Sequence, residues 1–364
     1  MLGLDRHAAR VTWTVFLIVL VILVAYMARH TIIVFLVALF FAYMLSPAVE
    51  SLDRMIPPRI SRNWSLVIVY LTFISALIGI GFVVGSTVVE QASSLAVRFP
   101  ELIKSKDPLQ GFPLPGWLDP LHLRIVEAIR SQLDSLDKSA IPILKTAAEE
   151  VFKHAGTALE IVLVPILSFF FLKDGVRIRE ALVDRTEGRS TLLLDEILDD
   201  VHLLLGHYMR ALVILACATF VSYMVFLQGT GGQYAVLLGG IAGLFEFIPV
   251  VGPLAAVLVI IVVEVLSGYN HVIALIIFVL CYRMFQDYVL SPYLMGAGVE
   301  LHPLLVLFGV FAGEQIAGVS GMFFSVPVIA TLRVVYVRSM RARTSRELSR
   351  RAVLPRHDAP VSPP

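Results

Sequence analysis

Apolar residues in this chain gather in long runs rather than alternating, at residues 11–28, 31–45, 66–89, 155–172, 211–227, 235–266, 272–290 and 303–332. Runs of this kind predict membrane-spanning helices, because about 20 helical residues cross a hydrocarbon core of about 30 Å. The second run is short and follows the first across Arg29 and His30. It predicts a tight helical hairpin whose ends snorkel or thin the membrane. The runs 235–266 and 303–332 are too long, since each would measure about 45 to 48 Å as a straight helix. Both carry helix breakers beside an acid: Glu246 with Pro249, Gly252 and Pro253 in the first, Glu314 with Gly313, Gly318 and Gly321 in the second. A broken backbone at membrane depth is tolerated only where protein or water surrounds it. Both runs are therefore expected to be re-entrant hairpins or discontinuous helices, the elements that hold substrate in transporters. The strings IAGLFE (241–246) and VFAGEQ (310–315) share a weak pattern that hints at an internal repeat.

Composition agrees with a lipid solvent. Of the 364 residues 58% are apolar and only 16% charged, against about a quarter charged in soluble domains, which excludes a soluble enzyme. The net charge of +1 offers no concentrated basic face, so nucleic acid is not an expected partner. Cys217 and Cys281 both fall in apolar runs and read as small packing residues, with no disulfide or thiolate metal site implied. Arg6 and Arg10 precede the first run without a convincing cleavage site, so that run is expected to remain as a membrane anchor. Clusters of Arg and Lys follow the second, fourth and last runs, which places those loops and both termini in the cytoplasm of a bacterial inner membrane.

The expected fold is an all-α polytopic membrane protein with six to eight transmembrane helices, two of its segments broken or re-entrant. Its parts are a three-span region at 1–89, an extramembrane amphipathic helical segment at 90–154, a transport region at 155–335 with cytoplasmic helices at 175–206, and a basic disordered cytoplasmic tail at 336–364. The short first hairpin and the amphipathic segment also suggest a homo-oligomer.

No GxxxxGK[ST] string is present, so no phosphate-cradling loop supports an ATP-driven pump, and no cofactor is expected. Gly318 to Gly321 match the GxSG of intramembrane serine proteases, but the only later histidine is His357 in the tail, which removes the base that chemistry needs. His202 and His207 are five apart and fall on different helix faces, so a metal site is not read there. The informative residues are ionisable groups inside apolar runs, each costing about 2.5 to 3.5 kcal/mol at a helix centre unless it meets protein or water. Arg210 and Glu264 lie near the ends of their runs, where the interface can solvate them. Arg283 and Asp287 are four apart and can pair along one face, as glue or as a gate. Glu246 and Glu314 have no basic residue within ten positions, so each must find a remote partner, hold a proton or line water.

Four strings, PILSFFFLKDG (165–175), GGIAGLFEFIPVVGP (239–253), QDYVLSPYLMG (286–296) and LHPLLVLFGVFAGEQIAGVSGMFFSVP (301–327), resemble in order and spacing the autoinducer-2 exporter family of bacterial membrane proteins. The resemblance covers nearly the whole chain and includes the early Pro47 and the Pro58-Arg59 pair. It implies that Glu246, Pro249, Gly252, Pro253, His302 and Pro303 belong to the transport half. Two departures stand out. Gly206 to Arg210 replace an Arg-Gly-Gln run, and Glu314 replaces a residue that is often small. The expected function is proton-coupled export of a small polar organic solute such as an autoinducer-2-like signal. Glu246, Glu314, Asp287 and Arg283 would serve as the relay, and Pro249, Gly252, Pro253, His302, Pro303 and Gly318 as the broken-helix substrate site. A monovalent cation/proton antiporter and a scaffold that does not transport are the alternatives, with a passive channel a further one. Membrane lipid and a small-molecule or cation substrate are the expected partners.

Overall fold

A lipid-facing backbone must satisfy its own hydrogen bonds, and the long apolar runs do so as helices. The computed structural model describes residues 6–55, 62–104, 158–184, 189–295 and 301–353, and among these every regular element is helical. In chain order they are α1 (Arg6–Met27), α2 (Arg29–Met55), α3 (Arg62–Lys104), α4 (Ala158–Val183), α5 (Arg189–Thr230), α6 (Ala235–Phe245), α7 (Val251–Leu266), α8 (Val272–Phe285), a π-helical turn (Gln286–Leu290), α9 (Ser291–Met295) and α10 (Pro303–Val353). Among the described residues six helical stretches are long and apolar enough to cross a membrane, the fifth of them running from α8 through the π-helical turn into α9, which makes this a multi-pass membrane protein.

The central helix is α5. Its 42 residues measure about 63 Å, roughly twice the hydrocarbon core, so its polar beginning lies beyond the bilayer. A tight turn at 231–234 folds α6 back against it. Gly239 and Gly243 let the two backbones touch: a Cβ on either would come within 2.9 Å of the Phe220 carbonyl or 2.7 Å of the Ala216 carbonyl. Small residues at such crossings replace the hydrophobic drive that lipid does not supply. The chain turns again at 246–250 into α7, so 235–266 is a helical hairpin. Its arms have 11 and 16 residues, about 16 and 24 Å, and neither crosses a core of about 30 Å.

The second broken run is also a hairpin. Ala317 (φ −143°) and Gly318 (φ 61°, ψ −140°) leave the helical region and split α10 into arms at 303–316 and 319–353. Gly318 supplies the positive φ that a side chain would resist. Gly313 and Gly321 meet across the fold so closely that a Cβ on either would strike the other's backbone, and a Cβ on Gly309 would strike Ile329. Arm 303–316 is about 21 Å long, and arm 319–353 meets its first charge at Arg333.

The hairpins meet through aromatic rings. Phe247, in the first tip, lies 5.5 Å from Phe323 of the second hairpin and 6.2 Å from Phe40 of α2, and Phe40 and Phe323 are 5.4 Å apart. Buried Tyr208, Met209 and Leu212 of α5 back this cluster. At the polar end of α5, Asp195 and Asp199 are held by Arg179 of α4, at 2.7 and 2.5 Å. One face round, Arg338 of α10 takes Glu196 and Asp200, at 3.0 and 2.6 Å. These guanidiniums hold the Asp199 and Asp200 carboxyls below their ordinary range.

The described helices bear on several sequence expectations. The segment at 90–104 is continuous with the third span, since α3 runs to Lys104 as one helix through Gly79, Gly81, Gly85 and Pro100. Residues 105–157, including the expected helix near 125–136, lie outside the described residues. The helices expected at 175–206 are continuations of α4 and α5. The tail expected to be disordered from 336 is helical through Val353, extending arm 319–353. Cys217 and Cys281 are exposed on the outside of the bundle rather than packed within it.

Candidate functional site

Glu246 is the first residue after α6, at the tip of the first hairpin, and its side chain is only 8% exposed. The missing partner lies on α8 and the turn that follows. Gln286 donates from Nε2 to Glu246 Oε2 at 2.7 Å, and Arg283 Nη1 stands 3.7 Å from Glu246 Oε1. Arg283 also donates from Nε to Asp287 Oδ2 at 3.1 Å, so one guanidinium bridges a buried and an exposed carboxylate. The π-helical turn matters here. Its wider backbone ring adds a residue to the turn, and Gln286 comes to lie buried against Glu246 while Asp287 stays exposed. On the α5 side, Thr219 and Tyr282 share a hydrogen bond of 3.0 Å, and Tyr223 stacks edge-on to Tyr282 at 5.5 Å. The result is a polar thread from a buried acid at a hairpin tip, through an arginine, to an acid at the surface.

The tip itself is tightly wound. Val251 N donates to Pro249 O at 2.7 Å, which closes a three-residue turn with Val250 at φ 64°, ψ −58°. This is the rare γ-turn, and a β-branched residue at its centre is strained. Such strain persists only where the surroundings over-determine it, commonly at functional sites. Gly252 is required beside it, since a Cβ there would strike the Phe245 carbonyl. Pro253 falls in the first turn of α7, where its missing N–H is not needed.

At the second tip a cavity of about 540 Å³ opens between Gly318 and Ser320 on one side and Arg29, His30, Ile33 and Val34 of α2 on the other. Small-molecule sites commonly hold about 300 to 1,000 Å³. Arg29 Nη1 reaches the Ile316 carbonyl at 3.5 Å, at the end of arm 303–316.

The structure thus joins Glu246, Arg283 and Asp287 in one cluster, with Pro249, Gly252 and Pro253 in the turn beside them, and puts Gly318 at the cavity. Glu314 does not join the cluster. It is exposed on the outer face one turn before the second tip, and its Oε2 accepts from Gln315 Nε2 at 2.8 Å. His302 and Pro303 sit at the opposite end of that hairpin, where His302 Nδ1 accepts from Leu304 N at 3.3 Å and starts the helix. The two similar strings occupy matching places, each ending a first arm just before its turn, with an acid near the close. Glu264 was expected to be solvated at an interface. It is instead 1% exposed, with its Oε1 against the turn at 231–234, where a Cβ on Gly232 would lie 3.1 Å from it. Gln286, which carries no charge, was not foreseen as a site residue although it opens the string at 286–296. The other signal is its position three residues after Arg283.

Comparisons with known proteins agree with this architecture. The sequence model described as AI-2E family transporter matches residues 15–340. Two proteins of Bacillus subtilis (strain 168), YrrI and YueF, both named as inferred transport proteins, are each 25% identical to this chain. The YrrI match covers 85% of this chain and 86% of the relative, and the YueF match 87% and 89%. A Mycobacterium tuberculosis protein named in the same way, MT0215, is 26% identical over 90% of this chain and 89% of its own length.

Proposed function

The chain belongs to the AI-2E transporter family, and from that membership and the site at its first hairpin tip we propose proton-coupled export of a small polar organic solute across the bacterial inner membrane, with both termini cytoplasmic. The carrying observation is Glu246, a buried carboxylate held by Arg283 and Gln286 beside a strained turn. When Glu246 takes a proton, its attraction to Arg283 is lost and the guanidinium is left to Asp287, so protonation and the hold on the hairpin tip are coupled. Transporters place their sites where half-crossing helices end near the midplane, and the two arms of the first hairpin are each too short to cross. Glu314, exposed near the second tip, serves as a second acid on the route. The cavity beside Gly318 favours an organic solute over a bare cation, because 540 Å³ exceeds what an ion and its ligands occupy.

The direct test is export from cells. Cells lacking the protein should accumulate a polar metabolite that returns to the medium on complementation by the parent and not by Glu246→Gln. Proton movement in liposomes that responds to one monovalent cation, with no organic solute retained in cells, would instead establish the cation/proton antiporter. Neither effect would leave the scaffold.

A further inference from the structure

The first hairpin holds a second acid at its other end. Glu264 lies in the last turn of α7, about 20 Å along the helix from the tip that carries Glu246. It is 1% exposed, and its Oε1 has no hydrogen-bond partner among the described residues. No charged side chain among those residues offsets its burial. The polar groups at this base have already spent their protons. Tyr269 donates its hydroxyl hydrogen to Thr230 Oγ1, Thr230 donates to the Phe226 carbonyl at 2.7 Å, and Ser267 donates to the Val263 carbonyl at 2.7 Å.

What remains beside Glu264 is an acceptor. A Cβ on Gly232 would lie 3.1 Å from Glu264 Oε1 and 3.2 Å from the Leu227 carbonyl, so glycine leaves open the space between them. The Leu227 carbonyl accepts from Gly232 N at 2.7 Å and lies 3.3 Å from Thr230 Oγ1, whose one hydrogen is directed to the Phe226 carbonyl at 2.7 Å, so its second lone pair can take a stronger donor. A carboxylate has nothing to receive here, whereas a carboxylic acid has something to donate to. Buried charge without a donor is the costliest state available to this side chain, and the neutral acid avoids it.

We propose that Glu264 is a second proton-binding site, holding its proton at neutral pH inside the base of the first hairpin and exchanging it with water through the turn at 231–233. Loading forms an O–H bond on the carboxylate with a proton drawn from that water, and release returns it. The turn is the way in, since Gly231 and Gln233 are exposed one residue from the buried contact. The other titratable groups at this base are engaged elsewhere. Arg98 of α3 reaches Gln233 Oε1 at 3.4 Å, His271 packs edge-on to the Tyr269 ring, and Tyr269 faces Glu264 closely enough to feel its charge. Within the proton-coupled reading, on which this part rests, Glu264 and Glu246 stand in series at the two ends of one hairpin.

Infrared spectra of the full chain in liposomes, in H2O and D2O at pH 7, test the proton directly. The expected result is a protonated-carboxyl band, slow to exchange in D2O, that loses one carboxyl's intensity in Glu264→Gln and keeps it in Glu246→Gln. An unchanged band in Glu264→Gln means the group is ionised and overturns the proposal. If Glu264→Gln does not fold, Glu264→Asp moves the band in frequency when the proposal holds and leaves it in place when it does not. Parent protein that shows the band and moves no protons under any solute gradient contradicts the coupled-transport reading while leaving the proton on Glu264 established.

Discussion

Arg283 carries two obligations at once. It lies on α8, reaches the buried Glu246 across the hairpin tip at 3.7 Å and holds Asp287 on its own helix at 3.1 Å. Replacing it by methionine keeps the stem and removes the charge, so Glu246 retains only neutral partners at the tip. Leaving a buried polar group under-satisfied costs about 1 to 3 kcal/mol, and the loss is moderated here because Arg283 is 38% exposed. Arg283→Met should therefore lower the thermal midpoint, while Asp287→Asn, which removes only the exposed partner, should leave it nearly unchanged. Equal effects of the two would mean that the guanidinium serves Asp287 and not Glu246. Much at this scale was legible beforehand, since an acid with no base within ten positions announces a remote partner. Which partner was not legible, because the register that aims Gln286 and Arg283 at Glu246 depends on a π-turn that hydrophobic periodicity does not reveal. Glu264 misled for a related reason. A position near the end of an apolar run is solvated only if nothing packs over it, and the turn at 231–234 closes on it.

Both hairpins depend on glycine where arms or turns crowd. Gly313 and Gly321 bring the arms of α10 into backbone contact, and a side chain at either has no flexible neighbour to displace. Gly313→Val and Gly321→Val should each destabilise the protein by at least the roughly 1 to 3 kcal/mol of an overpacked core. Gly79→Val, on the open face of α3 with nothing within 4 Å, should have little effect on the same midpoint. If all three variants melt alike, the arms of α10 do not close as described. The breaks themselves were readable from Pro249, Gly252 and Gly318 against runs too long for one crossing. That each break folds the chain back, instead of interrupting one span, follows from Gly313 meeting Gly321 and from Leu238 and Ala242 of α6 sharing one buried cluster with Ala256 and Ile260 of α7, contacts between residues that no local pattern pairs.

Across the whole molecule, α5 is the frame. Its polar end is gripped by Arg179 of α4 and Arg338 of α10, its middle supports the aromatic meeting of the hairpins, and its far end turns into the first hairpin. Because the Asp199 and Asp200 carboxyls are held below their ordinary range, their contribution is complete above the unfolded aspartate value of about 3.9 and is lost as pH falls through the lower folded values. The thermal midpoint should fall steeply below about pH 4 in the parent, and less steeply in Arg338→Gln, which has already given up one side of the grip. Identical acid profiles would show that this grip does not hold α10 to the frame. The central claim is that a proton on Glu246 moves with solute. It is tested most directly by pH-jump flux in liposomes loaded with an interior pH dye, comparing the parent with Glu246→Gln of equal thermal midpoint. The account predicts solute-dependent proton movement in the parent and none in the variant. Equal proton movement in both would contradict it.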